Sequence, residues 1–208
     1  MNIPIVYEDD WLLVVDKPSG LLTIPTPKKE SRTLTSILND DLIERKIAYR
    51  LHPCHRLDRE TSGLVIYAKG KSVQEKMMEA FRARSIKKTY IAFVRGCPAR
   101  TEGEMKNQIE GQPAQTKYKV ISKKKDFSVV EALPVTGRTN QIRIHFKQLG
   151  HPILGETKFA FRKDFAIKAK RLCLHAQSLE FIHPVAHKFI RLTCGLPKDL
   201  QQFLETHV

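Results

Sequence analysis

The sequence is short of several things that would mark other kinds of protein. No stretch of its 208 residues approaches the roughly 20 consecutive apolar residues that a membrane-spanning helix requires. The opening Met1-Asn2-Ile3-Pro4 lacks the charged-then-apolar layout of a secretory signal, so a cytoplasmic location with no membrane partner is expected. The four cysteines, Cys54, Cys97, Cys173 and Cys194, are far apart and form no Cys-x-x-Cys pair. That excludes the usual spacing of structural zinc and argues against a secreted disulfide framework. No internal repeat, low-complexity tract or Gly/Ser linker divides the chain, and a single domain over 1–208, acting as a monomer, is expected. Acidic residues are also scarce: 22 Asp and Glu stand against 36 Lys and Arg, a formal net charge of +14. Such an excess favours polyanions, whose binding also gains from counterion release. Solvated lysine faces are common enough that basicity alone does not identify the partner.

What is present is a mixture of short apolar segments with two periodicities. Trp11 to Asp16 reads as a buried strand stopped by Lys17-Pro18-Ser19-Gly20, and Leu21 to Ile24 reads as its resumption. Leu34 to Lys46 and Lys71 to Arg84 carry helical apolar spacing, and a helix is also expected from Asn140 to Leu149, ended by Gly150. Leu64 to Ala68, Thr89 to Val94, Thr116 to Ile121, Ser128 to Leu133, Leu172 to Ile182 and Phe189 to Thr193 read as strands, with a last helix from Lys198 to Glu205. Strands and helices mix without strict alternation, which predicts an α+β fold with a mixed, largely antiparallel central sheet flanked by helices.

The sharpest local feature is His55-Arg56-Leu57-Asp58-Arg59-Glu60-Thr61-Ser62-Gly63, directly ahead of an apolar strand. A polar loop on a rigid support is a favourable place for a site. On spacing alone the same residues also describe a capped turn with Asp58 accepting backbone N–H groups. Zinc-dependent base deamination needs a His-x-Glu and Pro-Cys-x-x-Cys pattern, which is absent. His183 and His187 are separated by Pro184, which argues against a helical metal pair. Asp58 and Glu60 are alternate residues and do not read as the flanking carboxylates of a glycosidase.

These nine residues resemble the His-Arg-Leu-Asp-x-x-Thr-Ser-Gly signature of the RluA-type pseudouridine synthases. Other segments match in order: Lys17-Pro18-Ser19-Gly20; Lys87-Lys88-Thr89-Tyr90; Thr136-Gly137-Arg138-Thr139-Asn140-Gln141-Ile142-Arg143; Gly150-His151-Pro152-Ile153-Leu154-Gly155; and Leu174-His175-Ala176. The resemblance runs from about residue 6 to about residue 194 and departs at Asn140, where many members have His, and at Glu156, where Asp is usual. The stretch from Gly103 to Pro113 looks shortened, and no segment ahead of Ile3 would hold the S4-like domain of many relatives.

The resemblance implies an isomerase that converts uridine to pseudouridine in ribosomal or transfer RNA. The reaction exchanges one carbon–nitrogen bond for a carbon–carbon bond, so it implies neither metal nor organic cofactor. Asp58 is implied as the catalytic carboxylate, Arg138 as the arginine that keeps it ionised, and Tyr90 as the aromatic facing the base. Arg138 also reads as a phosphate clamp, Tyr90 as an inward core aromatic, and Leu154 as a plain core leucine. Arg56 is expected to fill the stack left by an extruded uridine, and His55, Leu154, Lys88 and Lys17 to bind the substrate or its RNA. Lys28, Lys29, Arg82, Arg84, Lys87 and Lys117 are candidates to follow the RNA backbone, and each also reads as a solvated surface charge. The alternative function is a non-catalytic RNA-binding or chaperone protein that keeps the fold.

Overall fold

The run after Trp11 is a strand of Leu12–Lys17 (β2), buried along most of its length, and it pairs antiparallel with a short strand ahead of it, Ile5–Glu8 (β1). The computed structural model describes residues 3–161, 163 and 165–207; the first two residues of the opening from which the absence of a signal was read lie outside them. The chain divides into two compact units: Met1–Lys87 with Ser178–Cys194, and Lys88–Gln177 with Gly195–Val208.

In the first unit β2 also pairs antiparallel with Ser62–Lys69 (β4), and Leu51–Pro53 (β3) pairs with the far end of β4. One helix, Leu34–Glu44 (α1), begins in a reciprocal cap: Thr33 Oγ1 accepts the Ser36 N–H, and Ser36 Oγ accepts the Thr33 N–H. The strand expected at Leu21 to Ile24 does not form. Its carbonyls serve the start of α1 instead, Leu22 O accepting from Leu34 N–H at 2.7 Å and Thr23 O from Thr35 N–H at 3.1 Å. A helix start has unpaired N–H donors, and two of them are satisfied here by an irregular segment that periodicity misreads as a strand. The second helix, Lys71–Arg82 (α2), buries Val73 and Met77 against Leu12, Val14, Leu64 and Ile66.

The second unit holds strands Lys87–Arg95 (β5), Glu102–Met105 (β6), Thr116–Lys123 (β7) and Phe127–Pro134 (β8) in the order β5-β8-β7-β6, each neighbouring pair antiparallel. Gln141–Gln148 (α3) and Lys198–Thr206 (α4) supply Ile142, Phe146 and Leu200 to a core with Phe93, Phe127, Ile153 and Leu154. The last two strands are Leu174–Ile182 (β9), which crosses the boundary between the units in sequence, and Phe189–Thr193 (β10), paired antiparallel with β9 in the first unit. The α+β class and the largely antiparallel pairing agree with the expectation. Strands β1, β3 and β6 were not expected. Among the described residues no helix is long and apolar enough to cross a membrane.

Candidate active site

Asp58 sits in a loop whose backbone is held from one side by the segment at the end of β2. Thr23 is the first clamp: its hydroxyl donates to Leu57 O at 3.0 Å and accepts from Leu57 N–H at 3.1 Å. Ser19 Oγ donates to Glu60 O at 2.6 Å, and Gly20 N–H donates to Arg59 O at 2.8 Å. Lys17 is fully buried, with Nζ donating to Pro18 O at 2.9 Å, Leu21 O at 2.6 Å and Arg59 O at 3.2 Å. These bonds spend side chains of residues 17–23 on carbonyls of residues 57–60, so the loop's backbone is held from outside the loop. Asp58 O accepts the Thr61 N–H, closing the turn, and the Asp58 side chain is half-exposed.

The start of the loop is pinned to β4. His55 Nε2 accepts the Ile66 N–H at 3.1 Å, and its ring lies 4.8 Å from the Phe81 ring. Arg56 is exposed and has no hydrogen-bond or ion-pair partner among the described residues.

In the second unit the turn Thr136 to Asn140 leads into α3 and is held by side chains bonded to side chains. Gln141 is the hub. Its Oε1 accepts from Thr136 Oγ1 at 2.6 Å and from Arg138 N–H at 3.0 Å, while its Nε2 donates to Gln115 O and Thr116 Oγ1, each at 2.9 Å. His145, fully buried on the next turn, contacts the same Thr116 hydroxyl through Nδ1 at 2.9 Å. Burial disfavours its charged form and lowers its pKa. Arg138 is half-exposed, its Nε donating to Pro113 O at 3.2 Å. A Cβ at Gly137 would lie 3.9 Å from Lys88 Nζ, which places that ammonium beside the turn; burial lowers its pKa. Tyr90, on β5 opposite Ala132, is half-exposed and packs against the core of this unit.

Arg143 was matched only as part of a motif, yet it is the most constrained cation of this segment. It is 4% exposed. Nε and Nη2 form a fork with the two Glu156 oxygens, each at 2.7 Å, and Nη1 donates to Asn140 Oδ1 at 2.9 Å. Glu156 Oε1 also accepts the N–H groups of Thr157, Lys158 and Phe159. Burial pushes the Glu156 carboxyl up, but Arg143 and these N–H groups outweigh it, and the net shift is downward. A buried, forked guanidinium could have been suspected from Arg143 lying between Ile142 and Phe146 on the apolar side of a helix.

The expected residues therefore fall in two places. Asp58, Arg56, His55 and Lys17 belong to the first unit; Tyr90, Arg138, Lys88 and Leu154 belong to the second. Two of the expected residues are buried. Lys17 has no exposed surface for RNA and its ammonium is committed to three carbonyls; it braces the Asp58 loop. Leu154 is 1% exposed within the core, its N–H bonded to Phe93 O, so it offers a ligand almost no surface. Lys28, Lys29, Arg82, Arg84, Lys87 and Lys117 are all exposed, as a role along an RNA backbone requires.

A family model described as RNA pseudouridylate synthase matches residues 11–148. The dual-specificity RNA pseudouridine synthase RluA of Yersinia pestis is 38% identical over 198 residues, covering 86% of this chain and 92% of the relative. The ribosomal large subunit pseudouridine synthase C of Vibrio cholerae serotype O1 is 34% identical over 222 residues, covering 96% of this chain and 68% of the relative. Among solved structures, human RNA Pseudouridylate Synthase Domain Containing 4 superposes with a TM-score of 0.82 at 26% identity, over 97% of this chain and 92% of that one.

Proposed function

The chain belongs to the RNA pseudouridylate synthase family, isomerases acting on uridine in RNA, and we propose that Asp58 is its catalytic carboxylate. The observation that carries this reading is the brace: four side-chain and backbone donors of residues 17–23 fix the carbonyls on either side of Asp58 while its own side chain stays half-exposed. A reactive carboxylate must be held in place by the residues around it.

In the reaction the bond between uracil N1 and ribose C1′ breaks, the base turns, a bond forms between C5 and C1′, and C5 loses a proton while N1 gains one. Asp58 acts at the sugar, as nucleophile or as base, and either role requires its ionised form. Tyr90 is assigned to the base, as a stacking surface and as the acceptor for the C5 proton. The supporting cation falls to Arg143 in preference to Arg138. A buried guanidinium with both edges fixed acts in a low dielectric and cannot wander, whereas a half-exposed one is screened. Arg138 then takes the alternative role, a clamp on phosphate beside Lys88.

The substrate is assigned as ribosomal or transfer RNA; the name of the Vibrio cholerae relative supports the ribosomal RNA, and the basic composition supports either. The protein is assigned as a cytoplasmic monomer with no membrane partner. His55 positions the loop, and Arg56 enters the base stack. The test is to incubate parent protein and Asp58→Asn with total RNA and map pseudouridine. Sites should appear with the parent alone; no sites with the parent, or the same sites with the variant, would overturn the assignment.

A further inference from the structure

The turn that carries Arg138 is backed by a chain of hydrogen bonds whose directions are all fixed. Backbone groups fix them, because an amide N–H only donates and a carbonyl only accepts. The Arg138 N–H requires Oε1 at one end of the Gln141 amide, and Gln115 O requires Nε2 at the other. Thr136 Oγ1 accepts the Gln115 N–H at 2.9 Å, so its own proton goes to Gln141 Oε1. Thr116 Oγ1 accepts from Gln141 Nε2, so its proton goes to Nδ1 of His145. The other nitrogen of that ring, Nε2, lies 3.0 Å from Asn107 O and carries the hydrogen. His145 is thus neutral, in one tautomer, and bonded on both sides in a site with no exposure.

Two routes lead from this imidazole to Arg138. One runs through Thr116 and Gln141 to the Arg138 N–H and holds the backbone from which the side chain leaves. The other runs through Asn107 O into the segment 107–113. There Ile109 and Gln112 exchange N–H···O bonds of 3.0 and 2.9 Å across Glu110 and Gly111, both left-handed at φ 51° and 72°, and Ile109 is buried. This closed turn leads to Pro113, whose carbonyl accepts Arg138 Nε at 3.2 Å. We infer that His145, buried beyond the reach of RNA, is a positioning residue for Arg138, holding both its backbone and the carbonyl that aims its guanidinium. A half-exposed arginine must otherwise give up rotamer freedom when it meets a phosphate, and fixing it beforehand removes that cost from binding.

The inference rests on the proposed clamp role of Arg138, and the experiment separates the two. Parent, Arg138→Ala, His145→Phe and the double variant are assayed for kcat and KM on one stem-loop RNA and for melting temperature. His145→Phe should raise KM about fivefold and leave kcat within about twofold of the parent's, a coupling of the size seen within one hydrogen-bond network. In the Arg138→Ala background the same substitution should leave KM almost unchanged, while its cost in melting temperature stays. Should His145→Phe fail to fold, Thr116→Val carries the same comparison, since it removes one hydroxyl and leaves His145 bonded to Asn107 O. A loss as large in the Arg138→Ala background as in the parent's would overturn the inference, and so would a lower melting temperature with both constants unchanged. If Arg138→Ala lowers kcat and not affinity, the clamp reading fails by itself. The positioning role then stands or falls on whether the His145→Phe loss, now in kcat, disappears in the double variant. Arg138→Ala as active as the parent would overturn both.

Discussion

The loop that carries Asp58 and the turn that leads into α3 are both made of motif residues, but they are held in opposite ways. The first is held by its backbone. Lys17, Ser19, Gly20 and Thr23 bond the carbonyls of Leu57, Arg59 and Glu60, and of the loop's two arginines Arg56 is left exposed. The second is held by its side chains. Gln141 gathers Thr136, Thr116 and Gln115, and the arginine of α3, Arg143, is buried in a fork. One arrangement fixes a backbone from outside, and the other commits side chains to a fixed electrostatic background. The difference teaches that a motif does not report which of its residues face outward; the direction of the hydrogen bonds does.

The largest effect should come from the loop's one reactive group. Asp58→Asn keeps shape and removes charge, and since the brace runs through carbonyls it leaves the fold intact. Turnover should drop by at least about a hundredfold, with melting temperature and RNA affinity nearly unchanged. A comparable fall in melting temperature would mean that the carboxylate holds the loop, and the contrast between the two regions would break.

Next come the two arginines of the turn. Arg143→Lys keeps charge but not the planar fork, so Glu156 loses one of its two matched donors. Breaking a buried pair outright costs about 3–5 kcal/mol, so the conservative change should still lower stability measurably and kcat by about tenfold or more. Arg138→Lys should weaken RNA binding and leave kcat near the parent's. The reverse pattern would return the supporting role to Arg138. Stability should also carry the pH signature of Glu156. Its carboxyl is lowered in the folded state, so its contribution is present above the usual carboxylate range and is lost as pH falls through the folded value. Glu156→Gln should flatten that acid limb.

Smaller again is the brace. Lys17→Met fills much of the same volume but takes the ammonium from three carbonyls, of which Leu21 O is buried and Arg59 O keeps the Gly20 N–H. A buried acceptor left unpaired costs about 1–3 kcal/mol, and in a chain of this size each kcal/mol lowers the melting temperature by about 2–4 °C. Activity should fall with the loop's order while RNA affinity holds. Weaker RNA binding at unchanged stability would restore Lys17 to the RNA surface.

Much of this was legible in the sequence, and the failures have physical causes. The apolar runs behind β2, β4, β5, β7 and β8 announce themselves because buried strands need them. Strands β1, β3 and β6 run to only 4, 3 and 4 residues, too short for a period to show. Leu21 to Ile24 has the apolar content of a strand, but its carbonyls turn to the start of α1, which no pattern of side chains encodes. Lys17 reads as a surface cation because lysine almost never loses all its exposure; only the three carbonyls around it explain the exception. The burial of Arg143 is hinted at by its apolar neighbours on α3, but nothing in the spacing marks its partner 13 residues on.

The smallest effect, and the one that tests the outward half of the comparison, belongs to Arg56. Its side chain is exposed and without a partner among the described residues, so its removal should leave the loop and its brace as they are. Its proposed work begins when a uridine leaves its stack, because a planar guanidinium can occupy the gap. Extruding a stacked base costs a few kcal/mol, and extruding an already single-stranded one costs less. The value of filling the gap should scale with that cost. Since about 1.4 kcal/mol corresponds to a tenfold change in rate, Arg56→Ala should slow a stem-loop substrate by about tenfold and a flexible single-stranded uridine by much less. Assays at saturating enzyme remove differences in binding from the comparison. Equal losses on both RNAs would mean that Arg56 orders Asp58 or meets a phosphate, and that this loop, too, uses an arginine to build itself.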